Sequence, residues 1–319
     1  WQGKILTERQ CFSRIGMAYF ILTVLTSALQ ALGGLAVFLA APKAGTGSWQ
    51  MWVASFLPMY GIAVPVCAAM MRRVPSRAPE THSLGAGRFG KYFLMSIGIL
   101  YAGNLIGVHV MNWIGLLRGA PVDNSVETLL ENSSLLMNFL VTALIAPIIE
   151  EFLFRKLLID RTRQFGEGLA VVLSGLLFGL FHANLYQFFY AFGLGMLFAY
   201  LYIRTGRLRY PIALHMLINF MGAVLAPLVE RLAGQSDITD PFTALQLRPQ
   251  LFLVTVYGMA LFGCAIAGAL LLLLHFRRRI LLPGECPLPR GTRLKTIFVN
   301  TGMILFLLSI FGLFVYYLW

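Results

Sequence analysis

The feature that most constrains this chain is a set of long, uninterrupted apolar runs. Nine stretches read as membrane spans: 16–39, 50–71, 91–117, 137–159, 168–184, 186–204, 211–230, 251–275 and 296–318. About 20 apolar residues in helical form cross the hydrocarbon core of a bilayer. Hydrocarbon offers no partner to backbone N–H and C=O groups, so only helices and closed barrels cross it. Barrel strands alternate apolar and polar residues over about ten positions. These runs are continuous, so they are helices, and the fifth is the shortest. The balance of residue types agrees, with 58% hydrophobic, 12% charged and a mean hydropathy of +0.76. Soluble domains carry about 25% charged residues. The fold class is therefore all-α, a polytopic transmembrane helix bundle of about nine spans.

Loop charge tests that count independently. With the N-terminus on the cytoplasmic side, 21 of the 25 lysines and arginines fall in cytoplasmic segments, and Lys43, Arg118, Arg231 and Arg248 fall outside. The two long outer loops carry Asp123, Glu127, Glu131, Glu230, Asp237 and Asp240. Basic residues favour the cytoplasmic side, so this bias sets an N-terminus-in orientation. The net charge of +12 is then an attraction for anionic lipid, and no nucleic-acid partner is expected. Cys11, Cys67, Cys264 and Cys286 show neither disulfide nor zinc-ligand spacing. No cleavable signal peptide is expected, because the first apolar run is too long. The glycines at 85, 87 and 90 fit G-x-G-x-x-G nominally, but no strand precedes them, so no nucleotide site follows. The chain reads as a multi-pass protein of the plasma (inner) membrane of a prokaryote.

Ionisable groups inside spans are costly and point to function. The candidates are Glu150, Glu151, Arg155, His109, His182 and His215, with the polar Asn104, Asn112, Asn184 and Asn219. Glu150 and Glu151 diverge by about 100° around a helix. Glu151 and Arg155 stand four apart and can pair on one face, leaving Glu150 aimed elsewhere as a partly desolvated carboxylate suited to general-base work. Pro147 removes a helical hydrogen bond nearby and predicts a kink or local unwinding. The bland alternative has both acids reaching the interface to pair with Arg155 and Lys156. In the fifth span, Gly175 and Gly179 offer a close-approach face before His182. In the seventh, His215 and Asn219 share a face and can hydrogen-bond one water or stabilise an oxyanion; helix–helix polar contact is the alternative. Together these groups supply what water-mediated amide hydrolysis needs.

The ordered patterns E-E-x-x-x-R (Glu150, Glu151, Arg155), F-x-x-x-H (Phe178, His182) and H-x-x-x-N (His215, Asn219) resemble the CPBP family of intramembrane proteases, also called the CAAX protease and bacteriocin-processing or ABI family. The resemblance covers roughly 135–230, which divides the chain into N-terminal helices (1–134), a CPBP-like catalytic core (135–230) and C-terminal helices (231–319). It implies an endopeptidase acting on a membrane-associated or prenylated protein or peptide within the lipid bilayer. By the same resemblance, Glu150 and His182 would activate water, and His215 and Asn219 would stabilise the oxyanion or position that water. Glu151 and Arg155 would hold the site's shape, and Phe178 would pack the fifth helix. No cofactor is required by this reading. Zinc on Glu150, His182 and His215 remains the alternative, although the H-E-x-x-H spacing is absent. A non-catalytic membrane scaffold or bacteriocin-immunity protein that retains the fold is the rival function.

Depth poses a problem for a single site. At about 1.5 Å per residue, Glu150 lies roughly 15 Å, His182 about 20 Å and His215 only about 6 Å from the cytoplasmic ends of their spans. Either the fifth helix starts late, or the Arg204–Arg209 loop dips inward. The expectation is a water-filled cavity open to the cytoplasm with its floor near mid-membrane.

Overall fold

The computed structural model describes residues 6–45, 47–233, 250–277 and 281–318. Lys4, Asp237, Asp240, Arg248, Arg278 and Arg279, which enter the charge argument, lie outside these residues. Every regular element among the described residues is helical. Among the described residues, eight helices are long and apolar enough to cross a membrane: α1 (Glu8–Ala40), α2 (Trp49–Met71), α3 (Ala86–Arg118), α5 (Leu135–Phe165), α7 (Leu185–Thr205), α8 (Arg209–Val229), α9 (Leu251–Phe276) and α11 (Thr301–Leu318). The expected fifth span is a shorter apolar helix of 15 residues, α6 (Glu167–Phe181). Two short helices, α4 (Ser125–Glu131) and α10 (Arg293–Phe298), are also present.

Local sequence explains the boundaries. Thr7 and Gln10 form a reciprocal capping box at the start of α1, and Asn184 accepts from Tyr186 N to cap α7. Gly206 ends α7 at φ 61°, a conformation that costs glycine little. The expected last span, 296–318, is broken. Val299 leaves helical geometry, and the Asn300 side chain accepts from Met303 N at 3.0 Å, starting α11 afresh.

The middle helices α5 to α8 are flanked on both sides. Phe12, Ile15 and Tyr19 of α1, Cys67 and Met71 of α2, and Met303 and Phe306 of α11 form one buried cluster with Leu153, Phe154 and Phe178. Tyr92, Met95 and Ile97 of α3 and Ala265 of α9 form a second cluster with Phe198, Leu201 and Leu214. The packing between α6 and α7 depends on absent side chains, as the small-residue face predicts. A Cβ on Gly175 would fall 2.8 Å from Phe192 O, and one on Gly195 would fall 2.8 Å from the Gly175 Cα.

A polar layer ties the loop-side ends of these helices together. Arg204 pairs with Glu167 at 2.7 Å, Asp160 pairs with Lys156 at 2.7 Å, and Tyr202 Oη donates to Asp160 at 2.9 Å. Arg161 Nε reaches across to Met71 O at 2.7 Å. The segment 281–286 lies over the α5–α6 turn, where Glu167 N donates to Leu282 O and Cys286 N donates to Gln164 O. The linker 74–85 lies over the α7–α8 turn, with His82 N donating to Thr205 O at 2.8 Å and Leu84 N to the Tyr210 hydroxyl at 2.8 Å. Helix α6 begins at Glu167, where expected, and the turn before α8 is covered by the linker.

Gly175→Ile is expected to wedge α6 away from α7 and lower unfolding free energy by about 1–3 kcal/mol. Thermal denaturation in detergent measures this, and an unchanged midpoint would refute the close-packing argument.

Candidate active site

The site is assembled on α5, where two interruptions shape the helix. Residues Asn138–Ile145 and Phe152–Leu157 adopt wide π-type turns on either side of Pro147 and the two glutamates. Ala146 N donates to Val141 O, five residues back. Continued one step, the same register would bring residue 147 to Thr142 O, but proline has no N–H to give. Asn219 on α8 takes that place, its Nδ2 donating to Thr142 O at 2.9 Å. Pro147 and Asn219 are thus coupled through one carbonyl. One N–H of the Asn219 amide thus makes the helix–helix polar contact that the sequence left open beside the water or oxyanion role, and the other is uncommitted by this bond.

Glu151 is fully buried, as is Arg155 one turn later. Arg155 Nε lies 2.8 Å from Glu151 Oε2, and Arg155 Nη2 donates to Oε1 at 3.1 Å. Nη1 donates to Ser174 Oγ on α6 at 3.2 Å, and Ser174 in turn donates to Phe154 O. The guanidinium also sits 4.7 Å from the Phe178 ring centre and 5.7 Å from that of Phe198. A charge so buried is tolerable only because a carboxylate, a hydroxyl and two aromatic faces surround it. The alternative in which both acids reach toward the interface is not what the structure shows.

Glu150 and Glu151 diverge around α5, yet both face one imidazole. His215 on α8 lies between them. Its Nδ1 is 3.0 Å from Glu151 Oε1, and its Nε2 is 3.6 Å from Glu150 Oε2. The two carboxylates leave α5 in different directions, yet one imidazole is wide enough to meet both through its opposite nitrogens. Glu151 accepts from Arg155, so it is an acceptor toward His215 and assigns the proton to Nδ1. Nε2 is left facing Glu150. The Glu150 side chain keeps 18% of its surface exposed, whereas His215 keeps 5%.

His182 ends α6 and is half-buried, with Nδ1 2.8 Å from Phe178 O. Phe178 stands edge-on to both imidazoles, at 4.8 Å from His182 and 5.6 Å from His215 between ring centres. The turn carrying His182 is held from outside the core. Ala183 adopts φ 47°, uncommon for a residue with a Cβ. Asn184 Nδ2 donates to Asn124 Oδ1 at 3.3 Å, and Tyr186 Oη donates to Val122 O at 2.8 Å. Tyr60, in the π turn of α2, and Tyr190 on α7 pack against the cluster that holds Leu153, Phe154 and Phe178. Sequence reasoning singled out Asn184 but passed over Asn124, Tyr186, Tyr60 and Tyr190, because a tyrosine or asparagine near a span end reads as an interfacial anchor. The φ of Ala183 has no sequence signal.

Zinc would need three converging donors. Among the described residues no three His, Cys, Asp or Glu side chains gather at metal-holding spacing. The first nitrogen of each imidazole is already engaged, by Glu151 and by Phe178 O. The arrangement does not fit a three-ligand metal, and no step below passes through one.

The helices therefore bring Glu150 and Glu151 to opposite sides of His215, with His182 across Phe178 and Asn219 bonded to α5. Residues 132–221 match a family model described as type II CAAX prenyl endopeptidase Rce1-like. Over 84 residues the chain is 37% identical to the putative membrane peptidase YdiL of Bacillus subtilis, a match covering 25% of this chain and 33% of that relative. It is 33% identical over 84 residues to the membrane-embedded CAAX protease MroQ of Staphylococcus aureus, covering 24% and 34% respectively. The match thus spans about a third of the length of these relatives. No solved structure matches the chain. The likeness to membrane CAAX peptidases thus rests on residues 132–221, the stretch that carries Glu150, Glu151, His182, His215 and Asn219.

Asn219→Ala is expected to cost about 1–3 kcal/mol by orphaning Thr142 O. Adding Pro147→Ala should return part of that loss, because alanine at this position restores an N–H for the same carbonyl. A double-mutant cycle on thermal unfolding measures this, and strictly additive losses would refute the coupling.

Proposed function

We propose that the chain is an intramembrane endopeptidase hydrolysing a peptide bond in a membrane-associated or prenylated protein or peptide. The observation that carries the reading is His215 held between Glu151 at 3.0 Å and Glu150 at 3.6 Å, deep among apolar helices. Fold alone would not support an activity. A partly exposed carboxylate beside an oriented imidazole is a catalytic constellation, and here the surroundings are otherwise apolar.

In this reading Glu150, with His182, takes a proton from water, and the resulting hydroxide oxygen attacks the substrate carbonyl carbon. The carbonyl oxygen becomes an oxyanion. His215 donates to it from Nε2 when the ring carries both protons, and the second N–H of Asn219 is the companion donor. The proton held by Glu150 passes to the departing amide nitrogen, the C–N bond breaks, and an amine and a carboxylic acid leave. Arg155 and Glu151 do not touch substrate; they fix His215. A polar reaction suits such a site because preorganised groups act strongly where bulk water is scarce. We place the site toward the cytoplasmic side of a prokaryotic plasma membrane, with water reaching Glu150 from there, on the strength of the loop charges. The names of the two relatives support the reaction class for their own chains.

Glu150→Gln preserves size and hydrogen bonding while removing the base. Cleavage of a native membrane substrate in proteoliposomes is expected to fall at least ~100-fold. Full cleavage by this variant, in a protein that melts like the parent, would end the proposal and leave the scaffold reading standing.

A further inference from the structure

Helix α1 lies outside the stretch 132–221, yet one of its side chains is built into α5 beside Glu151 and Arg155. Tyr19 is fully buried, and its hydroxyl donates to Leu153 O at 2.8 Å. Its ring stacks on Phe154 of α5 at 5.4 Å between centres and stands edge-on to Phe306 of α11 at 6.0 Å. Close packing sets the position of α1. A Cβ on Gly16, one turn before Tyr19, would fall 2.6 Å from Met303 Cα, and Gly302 N donates to Ser13 Oγ at 3.2 Å.

The carbonyl that Tyr19 takes lies in the π turn Phe152–Leu157, between Glu151 and Arg155 in the chain. A turn of this kind shifts each backbone bond from four residues back to five. In that register Leu157 N serves Phe152 O. Leu158 N is next in line for Leu153 O, but it donates to Arg155 O instead. A carbonyl left without a donor is costly in a lipid-immersed core. Tyr19 supplies the donor for Leu153 O, as Ser174 does for the neighbouring Phe154 O at 2.7 Å. An ordinary α register would return Leu153 O to Leu157 N and make the tyrosine hydroxyl redundant. The hydroxyl is thus part of what keeps the turn wide.

We infer that Tyr19 is a positioning residue of the active site, acting through the wide turn on Arg155, Glu151 and His215 in succession. Its bond favours one register of the turn, and the register sets where Arg155 stands relative to Glu151. Those two side chains meet at two points, with Nε 2.8 Å from Oε2 and Nη2 donating to Oε1 at 3.1 Å. Such a two-point contact tolerates little rotation. Glu151 Oε1 also faces His215 Nδ1 at 3.0 Å. A displacement of Arg155 therefore reaches the imidazole through one carboxylate. By this route the N-terminal helices contribute to a site whose acting groups all lie elsewhere in the chain. The consequence for activity rests on the proteolytic reading, and the consequence for His215 does not.

The test is Tyr19→Phe in full-length protein in liposomes, which removes the hydroxyl and keeps the ring against Phe154 and Phe306. In nitrogen-15 spectra of histidine-labelled protein, the His215 Nδ1 signal is expected to move. Cleavage of a fluorescence-quenched prenylated peptide is expected to lose about tenfold in kcat with KM unchanged, because a misplaced group costs rate and not binding. Phe306→Leu is the control. It loosens the same packing but leaves the hydroxyl on Leu153 O, so the melting midpoint should fall while the His215 signal stays at its parent position. If Tyr19→Phe does not fold, meta-fluorotyrosine in place of Tyr19 changes only the donor strength of the hydroxyl, and the same signal should move. An unmoved His215 signal overturns the inference, as does an equal movement in Phe306→Leu or an unchanged kcat in a variant of an active parent. A parent that leaves the peptide intact counts against the proteolytic reading, and the spectrum alone then decides this one.

Discussion

The site depends on one buried interaction, the guanidinium of Arg155 against the carboxylate of Glu151. Two opposite charges removed from water gain from each other only when their remaining hydrogen-bonding capacity is met. Here three helices supply part of it. Ser174 on α6 takes one N–H of Arg155, Phe178 and Phe198 face the guanidinium, and His215 on α8 completes Glu151. The pair therefore fixes the mutual position of α5, α6 and α8, and the orientation of one imidazole follows from it. Loss of either partner would leave an unpaired buried charge, at a cost of about 3–5 kcal/mol.

The rest of the architecture serves to keep that arrangement in place. Small residues let α6 lie against α7, and α3 against both α7 and α9, at distances where side chains would collide. A lipid-immersed bundle needs such fits, because helices there are held by packing and hydrogen bonds and not by exclusion from water. The polar layer around Glu167, Arg204 and Asp160, with the segments 74–85 and 281–286 across it, closes the loop-side end of the core. The Val122–Asn124 loop holds the opposite end through Tyr186 and Asn184. His182 hangs from that end and His215 from the other. The two imidazoles meet across Phe178 only because both ends are tied.

Much of this was legible in the residues themselves. The apolar runs named the helices, and spacing alone paired Glu151 with Arg155, because four residues on a helix restore the same face. Other features depend on relations between helices that no single run encodes. The divergence of Glu150 from Glu151 is real along α5, but His215, 64 residues away, spans it. Pro147 signalled a disturbed helix without showing that the freed carbonyl would be claimed by Asn219 from 77 residues away. The continuous apolar pattern of 296–318 hid the break at Val299, which a capping asparagine creates against the hydrophobic trend.

The proposed chemistry requires Glu151 to hold the proton-bearing Nδ1 of His215 so that Nε2 faces Glu150. Nitrogen-15 spectroscopy of histidine-labelled protein in lipid, with His215 assigned by its substitution, reads this directly. The expected spectrum has a proton on Nδ1 of His215, with that signal moving when Glu151 is replaced by glutamine. A bare Nδ1 with the proton confined to Nε2, unaffected by Glu151→Gln, would contradict it.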